Sequence, residues 1–229
     1  MQKNYFTVFR FIVKDKKEDR FNYMINPITS FSPVSYTPVI SKNATIQPNS
    51  SVIGAVEIEK GVLVSPFASI RGDEGIPIHI GENSNVQDGV VIHGLENKFV
   101  EKDDKKYSVY IGKNVSLAHQ SQVHGPAKVG DNTFVGMQSF VFKSEIGDGV
   151  VLEPCSIVIG VKVESGRYVP AGEIIKTQAQ ADALPVITDD YSMKSLNSEV
   201  VEVNKQLNLG YRDVLTSYPK NYYLRPTSL

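Results

Sequence analysis

Ile111-Gly-Lys-Asn-Val-Ser-Leu117-Ala-His-Gln-Ser-Gln-Val123-His-Gly-Pro-Ala-Lys-Val129 puts an aliphatic residue at every sixth position and carries two of the chain's four histidines. A beat of six fits neither the two-residue alternation of a strand nor the helical period of roughly 3.6. It suits a short strand plus a corner, stacked coil upon coil as a parallel β-helix with three hexads to each triangular coil.

Working outward, the beat recurs at Ile40, Ile46, Val52, Ile58, Val64 and Ile70, then at Ile80, Val86 and Ile92, and beyond the quoted stretch at Val135 and Val141. It slips by one residue to Ile146, Leu152 and Val158, and slips again to Val163, Val169 and Ile175. Four positions after most of these stands a small or β-branched residue, such as Val56, Ala68, Ser84, Val115, Ser139 or Ser156. Both sets must point inward. Glycine follows the aliphatic residue at positions 81, 112, 130, 136 and 147, marking corners where a Cβ is costly. The expected fold is mainly β: about seven coils over residues 40–175, with insertions at 72–79 and 94–110, and a helix after them.

Three segments follow. Residues 1–37 form an N-terminal arm and lead-in, 38–176 the β-helix, and 177–229 C-terminal helices and a tail packed on it. The arm holds the charged run Lys14–Arg20, and Tyr5–Val13 is interrupted by Arg10, which makes a poor signal peptide. Met24 is an alternative start, and Pro27, Pro33 and Pro38 favour an extended lead-in. At the other end, Thr177-Gln-Ala-Gln180 has capping-box spacing, so a short helix runs to Leu184 before Pro185 stops it. A second helix is expected from Asp189 or Asp190, with Leu196, Val200, Val203 and Leu207 as its apolar stripe and an end near Gly210.

Lys and Arg number 24 against 25 Asp and Glu, interspersed, so the chain has no basic field for nucleic acid or anionic lipid. No stretch is long and apolar enough to span a bilayer, and the expected location is the cytoplasm. Cys155 is the only cysteine, which excludes an internal disulfide; its place in the repeat reads as a packed thiol.

Counting each hexad as one face puts Ile80, Val86 and Ile92 on faces one, two and three, with Ile111, Leu117 and Val123 above them. His93 and His124 then stack on face three, one coil or about 4.8 Å apart. His119 lies on face two, pointing away from that pair. One chain cannot close a three-histidine site, but two copies can, and the arrangement closes as a three-fold ring. Arg71 falls directly below His93 and Asp88 directly below His119, so opposite charges meet across the same junction. Three neutral imidazoles with no fourth protein ligand describe an open, catalytic zinc-type site that also accepts iron or cobalt. Taken singly, each histidine reads as a surface residue of a solenoid, and His79, in the insertion and without a partner in register, reads as ordinary.

Arg71-Gly-Asp-Glu-Gly75, Asn85-Val-Gln-Asp-Gly-Val-Val-Ile-His93, Val109–Pro126 and Gly136-Met-Gln-Ser-Phe-Val-Phe-Lys-Ser144 resemble the gamma-class carbonic anhydrases of archaeal type, over about Pro38 to Tyr211. The resemblance implies a homotrimer of left-handed β-helices in which His93 and His124 of one subunit and His119 of the next hold Zn²⁺ or Fe²⁺. It also implies reversible hydration of CO₂ to bicarbonate; water made acidic by such a metal is the chemistry that carbonic anhydrase itself exemplifies. By that pattern Gln87 orients the hydroxide, Glu74 assists near the metal, Glu96 is an outer proton shuttle, and Asn204 and Asn85 are polar wall residues. Arg71 and Asp88 match the interface ion pair. Without the resemblance, Glu74 and Glu96 are simply solvated carboxylates in insertions, and Gln87 is a wet surface amide. The loop after Glu96 is shorter and less acidic than in the archaeal form, and Glu202 replaces an aromatic beside the pocket. Two further readings stay open: a catalytically weak scaffold or assembly protein of the same fold, and a hexapeptide acyltransferase. The second explains neither the register of the histidines nor Gln87.

Overall fold

The computed structural model describes residues 22–217. Three parallel sheets of eight, seven and seven strands form the sides of a solenoid. On face one, Ile40, Ile58, Ile80, Ile111, Val129, Ile146 and Val163 pair in register, each with its counterpart one coil on. Ile46, Val64, Val86, Leu117, Val135, Leu152 and Val169 do the same on face two. Face three stacks Val52, Ile70, Ile92, Val123, Val141, Val158 and Ile175. These seven coils gain an eighth strand on face three, Tyr23–Met24 from the lead-in, paired with Val52 and Ile53. The charged run at 14–20 and the tail beyond 217 lie outside the described residues.

The beat residues and the small residues four positions later form one core, with Leu117, Ile92, Val90 and Val115 fully buried. Each buried aliphatic side chain stabilises the fold by about 1.5–3 kcal/mol. Hydroxyls among the small residues are satisfied by backbone of the next coil: Ser84 donates to the Gly112 carbonyl at 2.8 Å and Thr133 to that of Gly147 at 2.9 Å. The corner glycines are required by close approach. A Cβ on Gly81 would lie 2.5 Å from the Gly112 carbonyl oxygen. Left-handed backbone falls instead three residues after the aliphatic one, at Asn83, Asn114, Gln120, Gln138 and Cys155. Asparagine tolerates that conformation best. Cys155 occupies it with its thiol exposed, so it is not the packed thiol that its spacing suggested.

The first insertion is narrower than expected. Strands Ser69–Gly72 and Ile78–Ile80 leave only 73–77 to bulge, which puts His79 in the sheet, in register with Glu57 and Tyr110. Its ring is buried, stacked on Tyr110 at 4.9 Å, with Nδ1 3.4 Å from a Glu57 carboxylate oxygen. The second insertion contains an antiparallel hairpin, Val100–Lys102 with Lys105–Tyr107.

Helix α1 (Gln178–Asp182) carries the expected capping box. Helix α2 spans Leu196–Ser217, starting later than Asp189 and running through Gly210. A lone helical glycine costs only about 1 kcal/mol. Half of the expected stripe faces inward: Leu196 and Val200 pack on Ala118, Phe134 and Val151, whereas Val203 and Leu207 are 55% and 42% exposed and Asn197, Val201 and Asn208 are buried. The reason is polar: α2 lies along corner carbonyls, and Asn197 and Asn208 donate to those of Asn114 and Asn43. Among the described residues no helix is long and apolar enough to cross a membrane.

Replacing Leu117 with Ala leaves a cavity in the middle coils, and urea unfolding should show a loss of about 2–5 kcal/mol. Burial, followed by the charges of Asp131, Asp103 and Glu59, pushes the Tyr110 phenol from 10.0 up to about 12. The folded chain therefore holds a proton that the unfolded chain releases, so stability should fall as pH rises from 10 through about 12. Tyr110→Phe should flatten that part of an unfolding-against-pH series.

Candidate metal centre

The ladder that stacks the core also sets the site. Ile70, Ile92 and Val123 are in register, so the residues that follow them, Arg71, His93 and His124, form an outward column. The two imidazoles meet edge to face at 5.1 Å between centroids, with His93 Nδ1 3.3 Å from His124 Nε2. Two ligands of a tetrahedral zinc at the usual bond length stand about 3.3 Å apart, so the spacing of this pair suits two ligands of one metal. His124 Nδ1 lies 3.3 Å from the Gly125 carbonyl, which can only accept; the proton therefore sits on Nδ1 and the Nε2 lone pair is free.

Asp73 completes the column, and the sequence reading passes over it. Its Oδ1 is 3.0 Å from His93 Nε2 and its Oδ2 accepts from Arg71 Nη1 at 3.2 Å. The carboxylate thus ties Arg71 to the Nε2 edge of His93, while the Nδ1 edge faces His124. The signal was available: Asp73 stands two residues after Arg71, on the same side of an extended chain. Glu74, the next residue, places Oε1 3.4 Å from His93 Nε2, and its Oε2 is buried with no hydrogen-bond partner among the described residues.

His119 stands on face two, in the corner after Ser116–Leu117, with Nδ1 3.1 Å from Asp88 Oδ2 and more than half its side chain exposed. Within one chain, no group of three or more His, Cys, Asp or Glu is placed to hold a metal among the described residues. Arg71 and Asp88, expected to pair across a junction, each turn within the chain to a histidine: Arg71 Nη2 is 3.2 Å from His93 Nε2.

Asn85 and Gln87 sit together on face two, both nearly buried. Asn85 donates to Ser116 Oγ at 2.9 Å, and Gln87 Nε2 donates to Asn85 Oδ1 at 2.9 Å. Gln87 is thereby turned so that its carbonyl oxygen remains free. Glu96 is exposed at the start of the second insertion and accepts from Asn97 at 2.9 Å. Asn204, half-buried on α2, donates to the Val200 carbonyl of its own helix, a bond that does not engage the histidines.

No family model matches the chain. The carbonic anhydrase of Methanosarcina thermophila is 55% identical over 202 residues, 84% of this chain and 82% of that protein. A carboxysome assembly protein of Nostoc is 44% identical over 186 residues, 81% of this chain but only 33% of that protein. A mitochondrial gamma carbonic anhydrase of Arabidopsis thaliana is 32% identical over 138 residues, 60% of this chain and 46% of that protein. Among solved structures, a hexapeptide transferase family protein from Anaplasma phagocytophilum superposes with a TM-score of 0.61 at 27% identity, covering 77% of this chain and 93% of that one. With 55% identity to the Methanosarcina enzyme over most of both lengths, the chain belongs to the gamma-class carbonic anhydrase family.

Proposed function

We propose that the chain forms a homotrimer whose three sites, each built by two subunits, interconvert CO₂ and bicarbonate. The observation that carries this reading is the pair of imidazole nitrogens 3.3 Å apart on face three, with the third histidine on another face of the same chain. His93 and His124 of one subunit and His119 of its neighbour would hold Zn²⁺, Fe²⁺ or Co²⁺. The metal, when bound, supplies the Lewis acidity that makes water a nucleophile at neutral pH.

The chain's own residues do the rest. Gln87, its amide NH₂ tied to Asn85, presents a carbonyl oxygen that accepts the O–H of the attacking water and so aims its lone pair at the carbon of CO₂. Asn85 acts through Gln87 and is a positioning residue. As the new C–O bond forms and bicarbonate leaves, one proton must reach solvent. Glu74 Oε2, a buried carboxylate oxygen without a partner among the described residues, takes it, and the exposed Glu96 carboxylate passes it outward. Arg71 and Asp88 then lie at the junction between subunits, where they exchange their histidine contacts for one another. Asn204 borders the site from α2. The likeness to a carboxysome assembly protein keeps a scaffold reading in play, in which the same trimer retains metal and turns nothing over.

The test is CO₂ hydration by stopped flow on trimer loaded with Zn²⁺ and, without oxygen, with Fe²⁺. His119→Ala should remain folded and lose at least about 100-fold in activity, the upper end of what loss of an outer partner alone costs. An inactive wild-type trimer that retains either metal would establish the scaffold reading instead.

A further inference from the structure

His79 is the one histidine of the four that the metal centre leaves aside. It points outward from face one, in a column that also holds Glu57, Lys128 and Glu145, side chains suited to solvent. His79 is nevertheless only 9% exposed, and Tyr107, which packs against it, only 5%. Three rings account for this. His79 lies within 9° of parallel to Tyr110, and Tyr107 tilts against both, 5.5 Å from His79 and 5.4 Å from Tyr110 between centroids. Glu57 and Glu59 stand at the two nitrogen edges of the imidazole, at 3.4 and 3.9 Å.

What the cluster fastens gives it a role. His79 lies on the strand that resumes after the 73–77 bulge, and Tyr107 and Tyr110 flank the return of the second insertion. Both insertions therefore rejoin the solenoid at this one place. Ser108, buried beside Tyr107, donates its backbone N–H to the Pro77 carbonyl at 2.8 Å and its hydroxyl to that of Ile76 at 3.0 Å, which bonds the end of one insertion to the end of the other. The start of the second insertion packs here too, since a Cβ on Gly94 would lie 2.8 Å from that of Ser108. Within the hairpin, Tyr107 pairs with Val100, which is also nearly buried. Glu96 is held between these fixed points, in a turn closed by the Lys98 N–H donating to the Leu95 carbonyl at 3.1 Å.

We propose that His79, Tyr107 and Tyr110 are the anchor that fixes the Glu96 turn against the bulge carrying Glu74, with His79 as a positioning residue for proton export. The proposal rests on the carbonic anhydrase reading of the site and assigns part of its machinery to face one, which takes no part in the junction of faces two and three. A proton passes between groups only when they are correctly placed, and a displacement of about 1 Å can cost about 100-fold. The ring stack removes that freedom from an insertion that otherwise lies on a solvated face.

Proton export follows release of bicarbonate, so its loss lowers kcat and leaves kcat/KM for CO₂ untouched. A soluble buffer at high concentration takes the proton in place of Glu96. In zinc-loaded trimer at low buffer, His79→Ala should lower kcat about tenfold, with kcat/KM, metal content and mass as in the parent, and high buffer should restore kcat. His79→Phe keeps the stack and should keep kcat, whereas Tyr107→Leu, made from the insertion side, should repeat the His79→Ala pattern. Amides of residues 100–107 should exchange hydrogen faster in His79→Ala. A fall in kcat and kcat/KM together, a low kcat that buffer does not restore, a His79→Phe variant as slow as His79→Ala, or hairpin amides as protected as in the parent would each overturn the anchor. If the parent trimer hydrates no CO₂, the enzymatic reading fails by itself, and hydrogen exchange still decides whether the ring cluster holds the insertion.

Discussion

Backbone hydrogen bonding between successive coils is the constraint on which the rest of this molecule depends. It holds neighbouring coils about 4.8 Å apart and in strict register, so a residue's place in the hexad becomes its place in space. Ile92 opposite Val123 is a packing fact, and it obliges His93 to stand opposite His124. The core and the site are therefore specified by one ladder. A one-residue slip would turn the histidine column inward and the aliphatic column to solvent.

The insertions and α2 are built on that frame. The 73–77 bulge interrupts the beat only long enough to bring Asp73 and Glu74 to the His93 column, after which Ile78 resumes inward packing. Helix α2 covers face two through asparagines because what it meets there is a row of corner carbonyls. Asn197 Oδ1 and Asn208 Oδ1 are left buried and without partners among the described residues, so each amide contributes its donor and forfeits its acceptor. The result is an apolar contact between face two and α2 held at its edges by polar bonds.

Most of the fold is legible in the sequence because hexad periodicity is redundant: twenty-odd positions repeat one signal, and each checks the others. What escapes is whatever interrupts the repeat or binds to its backbone. His79 looks isolated because the pause in the beat after Ile70 hides the strand on which it sits, and only the flanking Ile78 and Ile80 betray the alternation. The buried face of α2 follows hydrophobic spacing at Leu196 and Val200 but not at Val203 and Leu207, where the helix is turned by asparagine bonds to carbonyls outside it. Asp73 is missed for a different reason. Its role lies in bridging two outward residues on adjacent coils, and outward positions carry no periodic mark. At the site, Arg71, His93, His124, Asp88 and His119 stand where their hexad positions put them, whereas the roles of Glu74, Gln87, Glu96 and Asn204 come from resemblance and from local hydrogen bonding.

The central claim is that each site is completed by a second subunit, and subunit mixing tests it most directly. Trimers reassembled from equal amounts of His119→Ala and His93→Ala chains should regain hydration activity although each variant alone is inactive. At random assembly about one quarter of the junctions join an intact face two to an intact face three, and activity should approach that share of wild type. Mixed trimers as inactive as their parents, with exchange of subunits verified by mass, would contradict the shared site.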